Sequence, residues 1–198
     1  MKILIADDHG LSREFIHTIL KNMYSEAKIF EAEDYRSAEC QCRKHQPALV
    51  ILDVSMPGMA GLLGVLEITR KFPDSKVLIC SAIDNPILIK TMLSFGVNGF
   101  ISKGMSSKEL TQGINSVLQG KVYIPDCHVD ARDMRLTPRQ AEMLGMLCSG
   151  LSNREIAKQL DISVHTVKLH VSSVLEILGA ENRMQAIALC GLYPVGIT

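Results

Sequence analysis

Apolar runs alternate with helical patterns over the first 120 residues of this chain. Five strand-helix units in a row predict a parallel sheet with helices on both faces. Right-handed crossovers reduce the topology to a doubly wound open sheet, with strand order 2-1-3-4-5. The predicted strands are Ile3–Ala6, Lys28–Phe30, Leu49–Leu52, Val77–Cys80 and Gly99–Ile101, and the predicted helices are Leu11–Met23, Tyr35–Lys44, Leu62–Lys71, Ile87–Phe95 and Lys108–Gln119.

The rest of the chain has a different organisation. Residues 121–135 have no sustained period and contain a proline and several charges, which predicts a linker. Residues 136–198 are helical in pattern, and their capping and stop residues predict a small all-α domain of four helices. The capping signals are Thr137 with Pro138, Ser152, Ser163 and Asn182, and the stop signals are Gly150 and Gly179.

Composition excludes several classes of protein. Apolar residues make up 47% of the 198 positions, so the chain can bury a core and is not disordered. The 21 basic and 21 acidic residues cancel, which argues against a strongly basic polyanion binder. No apolar run approaches the roughly 18 residues of a membrane span. We therefore expect a cytoplasmic protein without a membrane partner, whose six scattered cysteines are reduced thiols rather than metal ligands.

Polar side chains follow four neighbouring strands of the predicted sheet. Asp7 and Asp8 follow the first strand, Asp53 the third, Ser81 the fourth and Lys103 the fifth. One such aspartate is often only a turn residue, but together these side chains converge at one rim. Three close carboxylates repel one another unless a cation lies among them, and hard oxygen ligands suit Mg²⁺. A carboxylate nucleophile beside Mg²⁺ and a lysine indicates phosphoryl transfer to an aspartate.

These motifs resemble a bacterial response-regulator receiver domain, a CheY-like fold, over residues 1–120. The matching segments are Ile5-Ala6-Asp7-Asp8-His9, Leu52-Asp53-Val54-Ser55-Met56-Pro57-Gly58-Met59, Ile79-Cys80-Ser81-Ala82 and Gly99-Phe100-Ile101-Ser102-Lys103. Gly10 and Ala60 depart from the family pattern, and neither touches the expected chemistry. The resemblance implies that Asp53 is the phosphoacceptor, and that Ser81 and Lys103 contact the phosphoryl group. The implied magnesium ligands are the carboxylates of Asp7, Asp8 and Asp53 and the backbone carbonyl of Ser55.

Phe100 stands where the family has its switch aromatic, and core packing is the alternative role. Two related enzyme classes fit poorly. Asp7 and Asp8 would repel the phosphate of a flavodoxin-type FMN. A haloacid-dehalogenase-type phosphatase needs an aspartate at position 55, which is serine. We therefore expect no enzyme activity beyond magnesium-dependent phosphorylation and dephosphorylation of the receiver itself.

The C-terminal pattern contains a helix-turn-helix. Apolar residues at 164, 167, 171, 174 and 178 predict a buried stripe on a helix from Val164 to Leu178. A short capped helix, Asn153–Leu160, and a tight turn at Asp161-Ile162 precede it, so the second helix can enter a DNA major groove.

Residues 136–191 resemble the LuxR-type helix-turn-helix of NarL/FixJ response regulators. Such domains often dimerise through the last helix, here Asn182 to Leu189. The matching segments are Leu136-Thr137-Pro138-Arg139-Gln140, Gly150-Leu151-Ser152-Asn153-Arg154-Glu155-Ile156-Ala157, Thr166-Val167-Lys168-Leu169-His170-Val171, Leu178-Gly179 and Asn182-Arg183.

The predicted DNA contacts divide into two groups. His165, Thr166 and Leu169 are expected to reach base edges. Phosphate contacts are expected from Ser152, Asn153, Arg154 and Lys168, with Lys158 and His170 as further donors. Protein docking is the alternative, because residues 136–198 hold five basic and five acidic residues and position 177, usually basic, is isoleucine.

The sequence therefore predicts a two-component transcription regulator. A sensor histidine kinase phosphorylates Asp53, and phosphorylation releases or pairs the C-terminal domains so that a homodimer reads two DNA half-sites. One alternative is a signalling receiver whose helical domain docks proteins. Another alternative is a DNA-binding protein that is not controlled by phosphorylation. The presence of Asp8, Asp53 and Lys103 together argues against this alternative.

Overall fold

The alternation of strands and helices predicted from the sequence is present in the computed structural model, which describes residues 1–59, 61–82, 86–124 and 136–189. The strands are β1 Lys2–Ala6, β2 Lys28–Ala32, β3 Leu49–Leu52, β4 Lys76–Ser81 and β5 Gly99–Ser102. The helices between and after them are α1 Gly10–Met23, α2 Tyr35–His45, α3 Leu62–Lys71, α4 Pro86–Ser94 and α5 Ser107–Leu118. The family's Ala60 departure lies outside the described residues.

The five strands form one parallel sheet in the order β2-β1-β3-β4-β5, which confirms the predicted fold class. All four residues of β3 are buried, as expected for a parallel strand covered on both faces. The register pairs Ala6 with Leu52, so β1 and β3 end side by side. Asp7 and Asp53 directly follow these two residues. The sheet therefore places the two aspartates at one rim.

Helices cover both faces of the sheet. On one face, Ile16 and Leu20 of α1 and Ile114 of α5 pack with alternate strand residues such as Ile5. On the other face, α2, α3 and α4 cover the remaining strand residues, and Val65 is fully buried there. Burying both faces keeps β1 and β3 rigid, which fixes the positions of the rim residues.

The chain that leaves α5 pairs with the edge of the sheet. Tyr123 forms a parallel bridge with Gly99 of β5. The Phe100 amide donates a hydrogen bond to the Tyr123 carbonyl, and the Tyr123 amide donates to the Asn98 carbonyl. The first residues of the segment predicted to be a linker therefore extend the receiver sheet, and residues 125–135 lie outside the described part of the chain.

The described part of the C-terminal segment contains four helices, α6 Pro138–Cys148, α7 Asn153–Leu160, α8 Val164–Leu178 and α9 Arg183–Leu189. The side chains of Thr137, Ser152 and Ser163 cap the first three, as predicted. The Asn182 carboxamide accepts a hydrogen bond from the Gln185 amide at the start of α9. Asp161 ends α7 in the left-handed conformation and turns the chain tightly into α8.

The predicted buried stripe of α8 is confirmed at three of its five positions. Val167, Val174 and Leu178 are buried, and Val171 is partly buried. Val164 is 37% exposed, so its predicted burial is wrong. Val164 is the first residue of α8 and directly follows the turn that connects α7 to α8. It therefore lies at the end of the helix, ahead of the part that packs against neighbouring helices.

The two halves of the chain pack on each other. Helix α3 contacts α6, and α4 contacts α8. A Cβ atom built on Gly145 of α6 would lie 3.5 Å from Cδ2 of Leu63 on α3. The apolar core around α3 and α4 therefore continues into the helical domain. Within the described residues, no helix has the length and apolar character needed to cross a membrane.

Candidate phosphorylation site and DNA-binding surface

Two aspartates and a lysine meet at the carboxyl ends of β1, β3 and β5. The Lys103 Nζ donates hydrogen bonds to Asp53 Oδ2 at 2.7 Å and to Asp7 Oδ1 at 2.9 Å. Asp7 and Asp53 are buried, whereas Lys103 remains 20% exposed. Lys103 thus forms one ionic cluster with residues that are 50 and 96 positions away in sequence.

Backbone hydrogen bonds hold these side chains in place. The Asp53 amide donates to the carbonyl of Ala6, and the Asp7 amide donates to the carbonyl of Ala32. The Lys103 amide donates to the carbonyl of Ser81. Each charged residue therefore lies one position beyond a strand that a neighbouring strand still holds. These pairings fix the backbone positions from which the ammonium and the two carboxylates project.

Charge and burial oppose each other at this cluster. Burial alone would raise the pKa of Asp7, but hydrogen bonds from Ser12, the His9 amide and Lys103 bring it below its ordinary value. Burial would lower the pKa of Lys103, but its bonds to Asp53 and Asp7 raise it. These shifts favour an ionised Asp7 carboxylate and a charged Lys103 ammonium around neutral pH.

Asp8 and His9 complete a group of four possible metal ligands. One ligand atom from each of Asp7, Asp8, His9 and Asp53 lies within 4.8 Å of the others. His9 Nδ1 lies 2.8 Å from Asp8 Oδ1. Three carboxylates in one rim supply hard oxygen donors, so the residues present fit Mg²⁺. His9 was not predicted as a site residue, although its place beside two aspartates was visible in the sequence.

The remaining predicted receiver residues lie near this cluster or in the core. The Ser55 amide donates to Asp53 Oδ1 at 3.0 Å, and its carbonyl stays a predicted ligand. Ser81 is fully buried at the end of β4. Phe100 is buried in β5 within the core shared with α3 and α4. Phe100 is thus packed inward in this conformation, and its switch role stays a prediction.

Two residues of α1 reach the cluster without having been predicted. The Ser12 hydroxyl donates to Asp7 Oδ2 at 2.6 Å. The Arg13 guanidinium donates to the Asp7 carbonyl at 2.7 Å and to Glu33 at 2.6 Å. Nothing in the sequence spacing alone shows that the first turn of α1 folds back over the end of β1.

The predicted base-reading residues lie on an accessible part of α8. His165 and Leu169 are exposed, Leu169 to 61%, and Thr166 is partly exposed. Lys168 is exposed, and His170 is partly buried beside it. The described receiver contacts α8 through α4 without burying this reading surface, which we define as His165, Thr166, Lys168 and Leu169.

Of the predicted phosphate-binding residues, Asn153, Arg154 and Lys158 lie on α7 and Ser152 precedes it, whereas Lys168 and His170 lie on α8. Arg154 and Lys158 are exposed, and Asn153 is partly exposed. The Ser152 hydroxyl already accepts the Glu155 amide as the cap of α7, and the Thr166 hydroxyl pairs with Ser163 at the start of α8. These two hydroxyls therefore serve the helix starts first.

One basic residue of this domain has an internal role. The Arg183 guanidinium donates to the carbonyl of Leu147 in the last turn of α6 and to that of Leu151 in the loop after it. Arg183 therefore joins α9 to α6. Ile177, where a basic residue was expected, packs against the apolar core and is partly buried.

Comparisons with known proteins also divide the chain into a receiver domain and a helical DNA-binding domain. Residues 3–115 match the response regulator receiver domain, and residues 134–190 match the luxR family of bacterial regulatory proteins. The chain belongs to the response-regulator family, in which a receiver domain precedes a LuxR-type DNA-binding domain. The predicted resemblance is confirmed.

The chain is also similar to known proteins over nearly its whole length. The chain is 34% identical to the glycerol metabolism activator of Pseudomonas putida, over 96% of this chain and 95% of that protein. It is 30% identical to the oxygen regulatory protein NreC of Staphylococcus carnosus, over 94% and 95%. RcsB of Salmonella enterica serovar Typhimurium, bound to a promoter with the phosphomimetic BeF3⁻, superposes with a TM-score of 0.65 at 25% identity, over 97% of this chain and 98% of RcsB.

Proposed function

We propose that this protein is a transcription regulator whose DNA binding is controlled by phosphorylation of Asp53. The observation that carries this proposal is the ammonium of Lys103 bridging two buried carboxylates, Asp53 and Asp7, at the rim of the sheet. A buried carboxylate beside a fixed cation is prepared to accept a phosphoryl group, since the cation offsets the added negative charge.

The chain's own residues divide this task. Asp53 supplies the nucleophilic oxygen, and Lys103 would follow the charge from the carboxylate to the phosphoryl group. Ser81 would hold that group from the end of the adjacent strand. Asp7, Asp8 and Asp53, with the carbonyl of Ser55, would hold Mg²⁺. When bound, Mg²⁺ offsets negative charge on the transferring group. We propose that the protein catalyses only the phosphorylation and dephosphorylation of its own receiver domain.

The exposed reading surface favours pairing over unmasking as the consequence of phosphorylation. His165, Lys168 and Leu169 are accessible while the receiver contacts α8. The helical domain is also electrically neutral, so one copy makes few phosphate contacts. Two copies would double these contacts on adjacent half-sites. We propose a homodimer formed on phosphorylation in the cytoplasm, with a sensor histidine kinase as phosphodonor.

The relatives support this proposal. RcsB has been solved on promoter DNA in the presence of a phosphomimetic, and two RcsB dimers have been solved on two parallel DNAs. Both structures cover nearly the whole length of this chain. These structures support DNA binding as the output of this chain.

The test is selection of DNA fragments by the full chain, with and without Mg²⁺ plus beryllofluoride. An inverted repeat enriched only with the mimic is expected. Asp53→Asn is the matched control, and it should enrich nothing in either condition. Equal enrichment with and without the mimic would contradict control by phosphorylation but would support DNA binding.

Protein docking by the helical domain is the second candidate, favoured by its five basic and five acidic residues. It predicts no enriched fragment in either condition. DNA binding instead predicts an affinity that falls steeply as salt rises, because phosphate contacts release counterions.

A further inference from the structure

The buried carboxylate of Asp7 is held on both of its oxygens. Oδ1 accepts hydrogen bonds from the His9 amide and from Lys103 Nζ, each at 2.9 Å. Oδ2 accepts the Ser12 hydroxyl at 2.6 Å, which is the shortest of the three. Within the described residues, Ser12 is the one donor recorded on Oδ2. The two oxygens therefore have different surroundings, with Oδ1 facing the ionic cluster and Oδ2 facing α1.

The position of the Ser12 hydroxyl is itself fixed. Ser12 is the third residue of α1, and the next residue, Arg13, donates its amide to the His9 carbonyl. The Arg13 guanidinium also binds the Asp7 carbonyl and Glu33, the residue that follows β2. The first turn of α1 is thus tied to the ends of β1 and β2, which keeps the backbone of Ser12 beside Asp7.

Asp7 needs such a partner because its own side-chain torsions do not fix the plane of its carboxylate. The last torsion of an aspartate is broad and nearly two-fold, so nothing in the side chain sets the plane of the carboxylate. A donor on one oxygen fixes that plane and so fixes where the other oxygen points. A ligand held in its binding orientation before the metal arrives loses less entropy on binding.

We propose that Ser12 is a positioning residue for the magnesium-dependent phosphorylation of Asp53. Its hydroxyl holds Oδ2 of Asp7, so that Oδ1 stays directed at Lys103 and at the proposed metal ligands. Ser12 does not touch the reacting atoms and acts through Asp7 alone. This inference rests on the proposed function, because it assumes that the rim binds Mg²⁺.

The test is calorimetric titration of the full chain with Mg²⁺ alone. Ser12→Ala should raise the dissociation constant for Mg²⁺ about fivefold to tenfold, since one charge-assisted hydrogen bond is lost while the others remain. Ser12→Thr restores the hydroxyl and should return the constant to within about twofold of the unchanged protein. Ser12→Val has the shape of threonine without the hydroxyl and should stay weak.

A matched control comes from the same helix. The Thr18 hydroxyl donates to the Glu14 carbonyl, on the exposed side of α1. Thr18→Ala removes a hydroxyl from α1 without touching Asp7, so its dissociation constant should not change. A second measurement is phosphorylation by a small acyl phosphate. Ser12→Ala should raise the Mg²⁺ concentration for half-maximal rate and leave the rate at saturating Mg²⁺ near that of the unchanged protein.

Each outcome has a distinct meaning. If Ser12→Ala and Ser12→Val bind Mg²⁺ as tightly as the unchanged protein, the positioning role is wrong and the proposed function stands. If the unchanged protein does not bind Mg²⁺, the phosphorylation proposal itself fails. If Ser12→Ala does not fold, the valine and threonine variants still decide, because they differ in one hydroxyl against one methyl group.

Discussion

Lys103 Nζ lies 2.7 Å from Asp53 Oδ2, so an ammonium already neutralises the residue that we propose as phosphoacceptor. Asp53 is 1% exposed, so in this conformation the lysine rather than bulk water surrounds its carboxylate. Removing the lysine leaves two buried carboxylates facing each other without a cation. The ion pair is therefore a source of stability in the unphosphorylated protein as well as a part of the site.

Lys103→Ala should lower the free energy of unfolding of the receiver by about 2–3 kcal/mol in the absence of Mg²⁺. Part of the cluster stays wet, so the loss is less than for a fully buried pair. Saturating Mg²⁺ should restore more stability in this variant than in the unchanged protein, because it replaces the missing cation. Urea unfolding with and without Mg²⁺, followed by circular dichroism, measures both effects.

The control for this prediction is Lys71→Ala. Lys71 pairs with Glu39 and Glu67 on the surface and is 44% exposed. Its loss should cost less than about 1 kcal/mol and should not depend on Mg²⁺. An equal loss in the two variants would show that the buried cluster contributes no more than a surface pair.

Two neighbouring residues of α8 should affect DNA binding differently. Leu169→Ala removes an exposed apolar contact and should change which bases are preferred, with little change in the salt dependence. Lys168→Ala should weaken binding to all sequences and reduce the slope of log affinity against log salt by about 1. Titration of a selected fragment and a scrambled one at several salt concentrations separates the two effects. Unchanged preference in Leu169→Ala would remove Leu169 from the reading surface.

Gly145 places a limit on side-chain size between the two halves of the chain. Gly145→Ala adds a Cβ at an ordinary contact distance from Leu63, and alanine should stabilise α6 by about 0.5–1 kcal/mol. Gly145→Leu is too large for the space and should separate the domains. X-ray scattering of the full chain should show a larger maximum dimension for Gly145→Leu than for the unchanged protein, and no change for Gly145→Ala. The same dimension for both variants would contradict the packing of α3 on α6.

The cysteines should react at very different rates. Cys40 is exposed, whereas burial raises the pKa of Cys42 and of Cys80 to about 12. At pH 8, iodoacetamide should label Cys40 about a hundredfold faster than Cys42, because thiolate is the reactive form. Fragment mass spectra after timed labelling locate the label. In strong urea the difference should disappear, and a difference that persisted there would mean that burial is not its cause.

The sheet and its rim were predictable because their signals are local or topological. β3 and α3 were predicted with the bounds they have, since an apolar run and a helical period each lie within one segment. The meeting of Asp7, Asp53 and Lys103 followed from the parallel order of strands alone. These are properties that a sequence states directly.

Other contacts could not be predicted because they depend on the three-dimensional fold and not on the spacing of residues in the sequence. Ser12 and Arg13 reach Asp7 only because the loop after β1 turns α1 back over the strand end. Arg183, one of the five basic residues of the helical domain, binds the backbone carbonyl of Leu147 in α6 and that of Leu151 after it. Tyr123 pairs through a single bridge, which leaves no period in the sequence. In each case one contact in space decides the role.

The pairing of Tyr123 with β5 has a practical consequence for preparing the receiver alone. A chain shortened to residue 120 would leave the amide of Phe100 and the carbonyl of Asn98 without their partner, along an open strand edge. Open edges pair with other molecules, so such a fragment should aggregate. A fragment that ends at residue 124 retains its own edge cover and should remain monomeric at concentrations where the shorter one precipitates.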